Sequence, residues 1–182
     1  MEWRKWLDRA SYIDAEIVTI HSNLTFSSNI FREIGDYAQD LDIKIGIKND
    51  GRSMLEYIDI IKRIDHPYIG ATLDLGHCGF FQEILIVKEL SKRIKILNKI
   101  ICSLIRDLGS KLFLLHVYNI DTARWIDHRS LPNEAIDFHR VIKTLSDIGY
   151  NGFYIIELEE IAWREKAVES GRFLSNLLSI YT

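Results

Sequence analysis

Five short apolar runs punctuate the chain, and between them apolar residues recur at helical spacing. The runs are E-I-V-T-I-H over 16–21, K-I-G-I-K over 44–48, I-G-A-T-L over 69–73, L-F-L-L-H-V over 112–117 and F-Y-I-I-E-L over 153–158. Their β-branched and aromatic content predicts buried strands. Helices are predicted over 3–13, over 29–41 with Ser28 as its cap, and over the segment carrying Leu55, Ile58 and Ile61. Three more are predicted over 82–108, stopped by Gly109, over 135–148, stopped by Gly149, and over 163–180. The polar stretch 119–133 reads as irregular. Helix and strand alternate strictly, and the strands are almost wholly apolar, so the sheet is parallel and covered by helices. No glycine-rich phosphate loop follows a strand, which argues against an open nucleotide-binding sheet. The expected fold is a partial TIM (β/α) barrel of about five parallel strands with outer helices, forming a single domain over 1–182.

Chemistry collects at the strand ends. The third run leads into Asp74 and His77, the fourth ends at His116 and the fifth at Glu157. In α/β proteins the carboxyl ends of the strands face a crevice, so three successive strands ending in ligand-type side chains predict a site there. A lone His in an apolar run would be read as core.

With 182 residues, 47% of them hydrophobic, the chain is long enough to bury a sizeable core. A net charge of -3 offers no basic footprint for nucleic acid. Cys78 and Cys102 have neither metal-type spacing nor an evident disulfide partnership, which points to a reducing, cytoplasmic setting. The first residues lack a signal-peptide core, and the greasiest stretch, 84–108, is interrupted by Lys, Arg and Glu, so no membrane span is expected. His66, before Pro67, is expected exposed in a turn, and His139 on a helix surface. Trp3 and Trp6 are expected to face ordinary core, and Cys78 to be a small packing residue.

Four segments together resemble the sugar phosphate isomerase/epimerase family of xylose-isomerase-like TIM barrels, related to the apurinic endonucleases. They are D-L-G-H at 74–77, the L-L-H-V run around His116, D-H-R-S-L-P-N-E-A-I-D-F over 127–138 and G-Y-N-G-F-Y-I-I-E-L over 149–158. The resemblance implies a divalent metal, Mn, Mg, Co or Zn, held by Asp74, His116 and Glu157. It implies Glu157 as acid/base, and His21, His77 and His128 as groups binding a small carbohydrate or sugar phosphate. Metal-assisted proton transfer between neighbouring carbons is the implied reaction.

Three departures from the family pattern shape the expectation. Lys48 stands where the family strand ends in a ligand Glu. The exchange adds a positive charge where the metal would sit, each unit interaction at ~4 Å being worth roughly 4 kcal/mol at an effective dielectric of ~20. Lys48 is thus either a rewired catalytic residue or a structural cation between Asp74 and Glu157, in which case no metal is needed. The loop Pro132-Asn133-Glu134 lacks the family's glycines, which weakens the case for backbone contact with a ligand. By the match, three βα units are missing at the N-terminus, so two sheet edges stay open: they call for a homo-oligomer or a partner chain, or are covered by the chain's own terminal helices, or the chain is a fragment of a longer gene product. Asp127 is a further candidate ligand in an endonuclease-like arrangement, but Ile126 and Lys48 both break that pattern. Two readings follow: an isomerase/epimerase, or a non-catalytic remnant that binds a polyol or a protein.

Overall fold

The structure, a computed structural model, describes residues 2–22, 28–51, 53–132 and 135–181. Helix α1 (Glu2–Tyr12) precedes strand β1 (Ile17–Ile20), followed by α2 (Ser28–Asp40), β2 (Lys44–Lys48), α3 (Met54–Ile64) and β3 (Ile69–Asp74). A 3-10 turn over Gly76–Phe80 leads to α4 (Gln82–Leu85), α5 (Leu90–Leu108) and β4 (Leu112–Val117). The rest is β5 (Asn119–Asp121), β6 (Ile126–Arg129), α6 (Phe138–Asp147), β7 (Phe153–Ile156) and α7 (Trp163–Tyr181). Strands β1, β2, β3, β4 and β7 form one parallel sheet in chain order. They curl into a half-barrel, five of the eight strands a closed TIM barrel needs. Among the described residues the outer edges of β1 and β7 have no strand partner.

The outer face of the sheet packs on the helices through Ile45, Ile47, Leu73 and Leu115, and against them sit Tyr57, Ile61, Leu97, Ile101 and Ile105. The inner face is polar near the carboxyl ends. Thr19 and Thr72 share a hydrogen bond of 2.9 Å across β2. Gly46 lies between them, and a Cβ there would stand 2.1 Å from Thr72 Oγ1, so the contact requires glycine. Alternation along β2 and β3 then brings Lys48 and Asp74 onto the same face at the strand ends.

Several sequence expectations are corrected. The segment 82–108 is not one helix: it breaks at 86–89, where Glu89 turns extended and Arg93 Nε donates to Val87 O at 2.8 Å. No residue of 85–89 is buried, so packing does not carry the helix across the break. The stretch 119–133 contains an antiparallel hairpin, β5 with β6. Asp121 makes its turn by accepting from the backbone N–H of Ala123 and Arg124 at 2.8 and 3.0 Å. His66 is buried, not exposed. Its ring lies on Gly35, Nε2 meets Asp36 at 3.2 Å, and Nδ1 accepts from Tyr68 N–H. Trp6 is 59% exposed rather than core, because α1 borders the open edge of β1 and lines an apolar groove with Val18 and Ile20. His139 is exposed and Cys78 buried, as expected. The Ser28 side chain and the loop residues Asn133 and Glu134 lie outside the described residues. Among the described residues no helix is long and apolar enough to cross a membrane.

Candidate active site

The carboxyl ends of β2, β3, β4 and β7 bring Lys48, Asp74, His116 and Glu157 together. Asp74 is fully buried and sits at the centre. Its backbone is fixed by Asn49, whose side chain accepts from Asp74 N–H at 2.7 Å and donates to Asp74 O at 3.0 Å. Its two carboxylate oxygens face different partners. Oδ2 meets Lys48 Nζ at 2.8 Å, the Tyr118 hydroxyl at 3.1 Å and His77 Nδ1 at 3.2 Å. Oδ1 faces His116 Nδ1 at 2.7 Å, and that nitrogen is 3.0 Å from Glu157 Oε2.

Asp74 Oδ1, His116 Nδ1 and Glu157 Oε2 are each buried and make no well-directed hydrogen bond among the described residues, although His116 Nδ1 lies within ion-pair distance of both carboxylate oxygens. A buried polar atom without a partner costs about 1–3 kcal/mol. Three such atoms from three adjacent strands, meeting at one point, form the arrangement that a cation satisfies. One imidazole nitrogen and two carboxylate oxygens are donors suited to Zn, Mn, Co or Mg, so the residues present fit a divalent ion. Lys48 holds the far oxygen of Asp74 and is 4.0 Å from Glu157 Oε2. The ammonium therefore stands beside the point of convergence, bonded to Asp74 and not midway between the two carboxylates.

Charges are matched around this centre. Burial disfavours the Lys48 ammonium, but its hydrogen bond to Asp74 and the charges of Asp74 and Glu157 outweigh that and hold its pKa above the ordinary lysine value. Burial likewise pushes the Asp74 carboxyl up, while His116, Lys48 and His77 more than offset it and leave the group below the usual carboxylate range. Lys48 is thus a cation at neutral pH and Asp74 an anion.

A second cluster adjoins the first. His77, Asp127 and His128 bring one ligand-type atom each within 4.8 Å of one another. His128 Nδ1 is 3.1 Å from Asp127 Oδ1, and its ring stacks on Tyr118 with centroids 4.1 Å apart. Burial lowers the His128 pKa, yet the Asp127 hydrogen bond and charge reverse this and raise it. His128 Nε2 is 3.8 Å from Glu157 Oε2, so the two clusters share a wall.

His21 lies further out, with its side chain exposed and its Nδ1 2.7 Å from Asp50 Oδ2. Asp50 Oδ1 is in turn 3.2 Å from His77 Nδ1, and so links His21 to the centre. Asp50 and Tyr118 are absent from the sequence-based site. Asp50 lies two residues past the end of β2, where the strand-end rule applies equally. Tyr118 carries no comparable signal; it reaches Asp74 because Gly76 leaves room for its ring, which lies 2.2 Å from where a Cβ would stand.

The fold is shared with known proteins. An uncharacterized protein of Methanocaldococcus jannaschii, MJ1311, is 27% identical over 198 residues, covering 97% of this chain and 61% of that protein. The crystal structure of a D-tagatose 3-epimerase-like protein superposes with a TM-score of 0.69 at 24% identity, covering 98% of this chain and 67% of the other. D-psicose 3-epimerase from Clostridium cellulolyticum H10, solved with D-tagatose, gives 0.68 at 17% identity, covering 97% and 69%. The chain thus spans about three fifths of its curated relative and about two thirds of these solved chains. At these identities the solved structures establish the fold. Residues 2–177 match the family described as xylose isomerase-like TIM barrel, and with a half-barrel whose strand ends converge as the four sequence segments imply, the chain belongs to that family.

Proposed function

We propose that the chain is a metal-assisted isomerase of a small carbohydrate or sugar phosphate, with Asp74, His116 and Glu157 as metal ligands. The observation that supports this is the convergence on one point of three buried ligand-type atoms, none of them in a well-directed hydrogen bond among the described residues. These three residues would hold a divalent ion, which would supply polarisation of a carbonyl and the adjacent hydroxyl. Glu157, more exposed than Asp74, moves the proton between the two carbons. His77 and His128 hold substrate hydroxyls from the opposite wall, and His21, reached through Asp50, contacts the outer end of the substrate. Lys48 acts electrostatically and not as a base, because it stays protonated and donates to Asp74.

Glu157 is the one partly exposed carboxylate among the four strand-end residues, which favours isomerisation over epimerisation. Inverting one carbon needs proton removal from one face and return to the other, hence two acid/base groups. A 1,2-shift along one face needs one. Glu157 supplies one, and Lys48 stands where the family pattern has its second carboxylate.

A second reading is favoured by the Lys48–Asp74 ion pair, which compensates the buried carboxylate without any added ion. On that reading the chain is a non-catalytic relative that binds a polyol or a protein. On either reading the outer edges of β1 and β7, unpaired among the described residues, are ones that a further strand could pair.

The deciding experiment incubates the full chain with Mg²⁺ or Zn²⁺ and a set of aldoses, ketoses and their phosphates in D₂O, followed by NMR. Isomerisation with solvent label at the reacting carbons, reduced about 100-fold or more in Glu157→Gln, is expected. Neither turnover nor proton exchange with any of these sugars would leave the non-catalytic reading.

A further inference from the structure

The outer layer of helices reaches further than the sheet it covers. Leaving aside the four-residue α4, the described residues form six helices side by side, in the order α1, α2, α3, α5, α6 and α7, over five strands. Four of them, α2, α3, α5 and α6, each connect one strand of the sheet to the next. The other two stand at the open edges. At the β1 edge α1 is tied to α2, by Arg4 Nη2 to Glu33 Oε1 at 3.0 Å and by the Tyr37 hydroxyl to Asp8 at 2.6 Å. At the β7 edge α7 is tied to α6, by the Ser146 hydroxyl to Tyr181 O at 2.7 Å and by the edge contact of Phe138 with Phe173. Both helices overhang. Only Leu7 and Ala10 of α1 and Ser170, Leu174 and Leu177 of α7 are buried. Trp6 and Ile13 at one edge, and Trp163 and Val168 at the other, are more than half exposed. Beneath α1 runs an apolar groove of about 1110 Å³, lined by Trp6, Ile13, Val18 and Ile20. On β7, Phe153 and Ile155, on the side of the sheet that carries His116, expose an apolar strip.

These overhangs exclude a second copy of the chain. A helix is ~10 Å across and neighbouring strands are ~4.8 Å apart, so one helix fills the layer over one strand gap. Pairing β1 with β7, β1 with β1 or β7 with β7 of another copy brings two overhanging helices over the same gap. The occupant has to bring a bare strand to each edge. Eight strands close such a barrel, and parallel neighbours are joined through helices, so three strands and two helices complete it. We propose that the half-barrel docks a second polypeptide of pattern βαβαβ, its first strand beside β7 under α7 and its last beside β1 under α1. The size agrees. This chain matches 67% of the D-tagatose 3-epimerase-like chain, and the remaining third is about half the length of this chain. The strand beside β1 turns apolar residues outward to the groove under α1, and the strand beside β7 turns them inward to Phe153 and Ile155.

The test co-expresses the tagged full chain with two probes in turn: the parts of MJ1311 and of the D-tagatose 3-epimerase-like protein that lie outside the regions matched by this chain. Co-purification with at least one probe is expected, as a 1:1 complex by native mass spectrometry, with amide exchange slowed in both β1 and β7. Trp6→Glu combined with Ile13→Asp, at positions exposed in the free chain, should weaken the complex at least about tenfold in sedimentation while leaving the circular dichroism of the free chain unchanged. Phe153→Asp should do the same from the other edge. Failure of both probes to co-purify, protection of one edge alone, or a complex as tight in these variants as in wild type would overturn the proposal. So would a discrete dimer of the full chain alone with β1 and β7 protected, because it would show that two overhanging helices fit over one gap. None of these readouts involves a metal or a sugar, so they stand or fall apart from the proposed reaction.

Discussion

Lys48 Nζ bonds Asp74 Oδ2 at 2.8 Å, the oxygen turned away from His116. The two sides of one carboxylate are thus assigned to different tasks. Oδ2 takes Lys48, Tyr118 and His77, and in doing so fixes Oδ1 towards His116 and Glu157. The lysine that departs from the family pattern therefore fixes the orientation of Asp74.

Removing that cation leaves a buried carboxylate uncompensated. Lys48→Met should destabilise the metal-free chain by about 3–5 kcal/mol, since both partners are nearly inaccessible. Lys48→Glu should destabilise it further and be rescued by Mn²⁺, because a fourth ligand, the third anionic one, replaces the cation. Urea unfolding with and without Mn²⁺ checks both. Equal midpoints for wild type and Lys48→Met would show that the ion pair contributes nothing.

Tyr118→Phe removes one Oδ2 donor and keeps the ring that stacks on His128. A hydrogen bond to a charged group contributes about 1.5–3 kcal/mol, and loss of a group that orients a metal ligand costs roughly 10–100-fold in metal affinity. Metal titration of the variant should therefore show weaker binding with little change in secondary structure by circular dichroism. Unchanged affinity would mean that Lys48 and His77 suffice to orient Asp74.

The strand runs and their chemistry were legible because each strand carries its own signal. Leu112–Val117 and Lys44–Lys48 begin and end where the apolar pattern does, and Asp74, His116 and Glu157 come together because strand ends converge. Features that depend on distant partners were not legible. His66 is buried only because Gly35 and Asp36 of another helix accept it. The break at 86–89 follows from burial that the apolar residues themselves do not announce. Tyr118 joins the site through its contact with Asp74, which no spacing along the chain encodes.

The inner layer makes a packing prediction. Gly46→Ala would drive its Cβ into Thr72 Oγ1 and should cost about 1–3 kcal/mol. Thr72→Ala in the same chain should recover part of that loss, because the clashing hydroxyl is gone. A thermal-melt double-mutant cycle measures the coupling; strict additivity would contradict the contact.

The His128–Asp127 pair makes a pH prediction. Burial lowers the His128 pKa, but the hydrogen bond and charge of Asp127 raise it overall. A raised histidine contributes stability that is fully present below its unfolded pKa, near 6.5, and is lost as pH rises through the higher folded value. Stability of the metal-free wild type should therefore fall relative to Asp127→Asn as pH climbs above about 6.5. Parallel melting curves of the two proteins over that range would remove the pair from the account.

The most direct test of the central claim is calorimetric titration of the chelator-treated chain with Mn²⁺, beside Asp74→Asn and Glu157→Gln. The account predicts a single saturable site with a dissociation constant in the micromolar range or tighter, weakened at least about tenfold in each variant. Absence of Mn²⁺ binding in the wild type, or binding indifferent to both substitutions, would contradict it and leave Lys48 as the only cation that Asp74 requires.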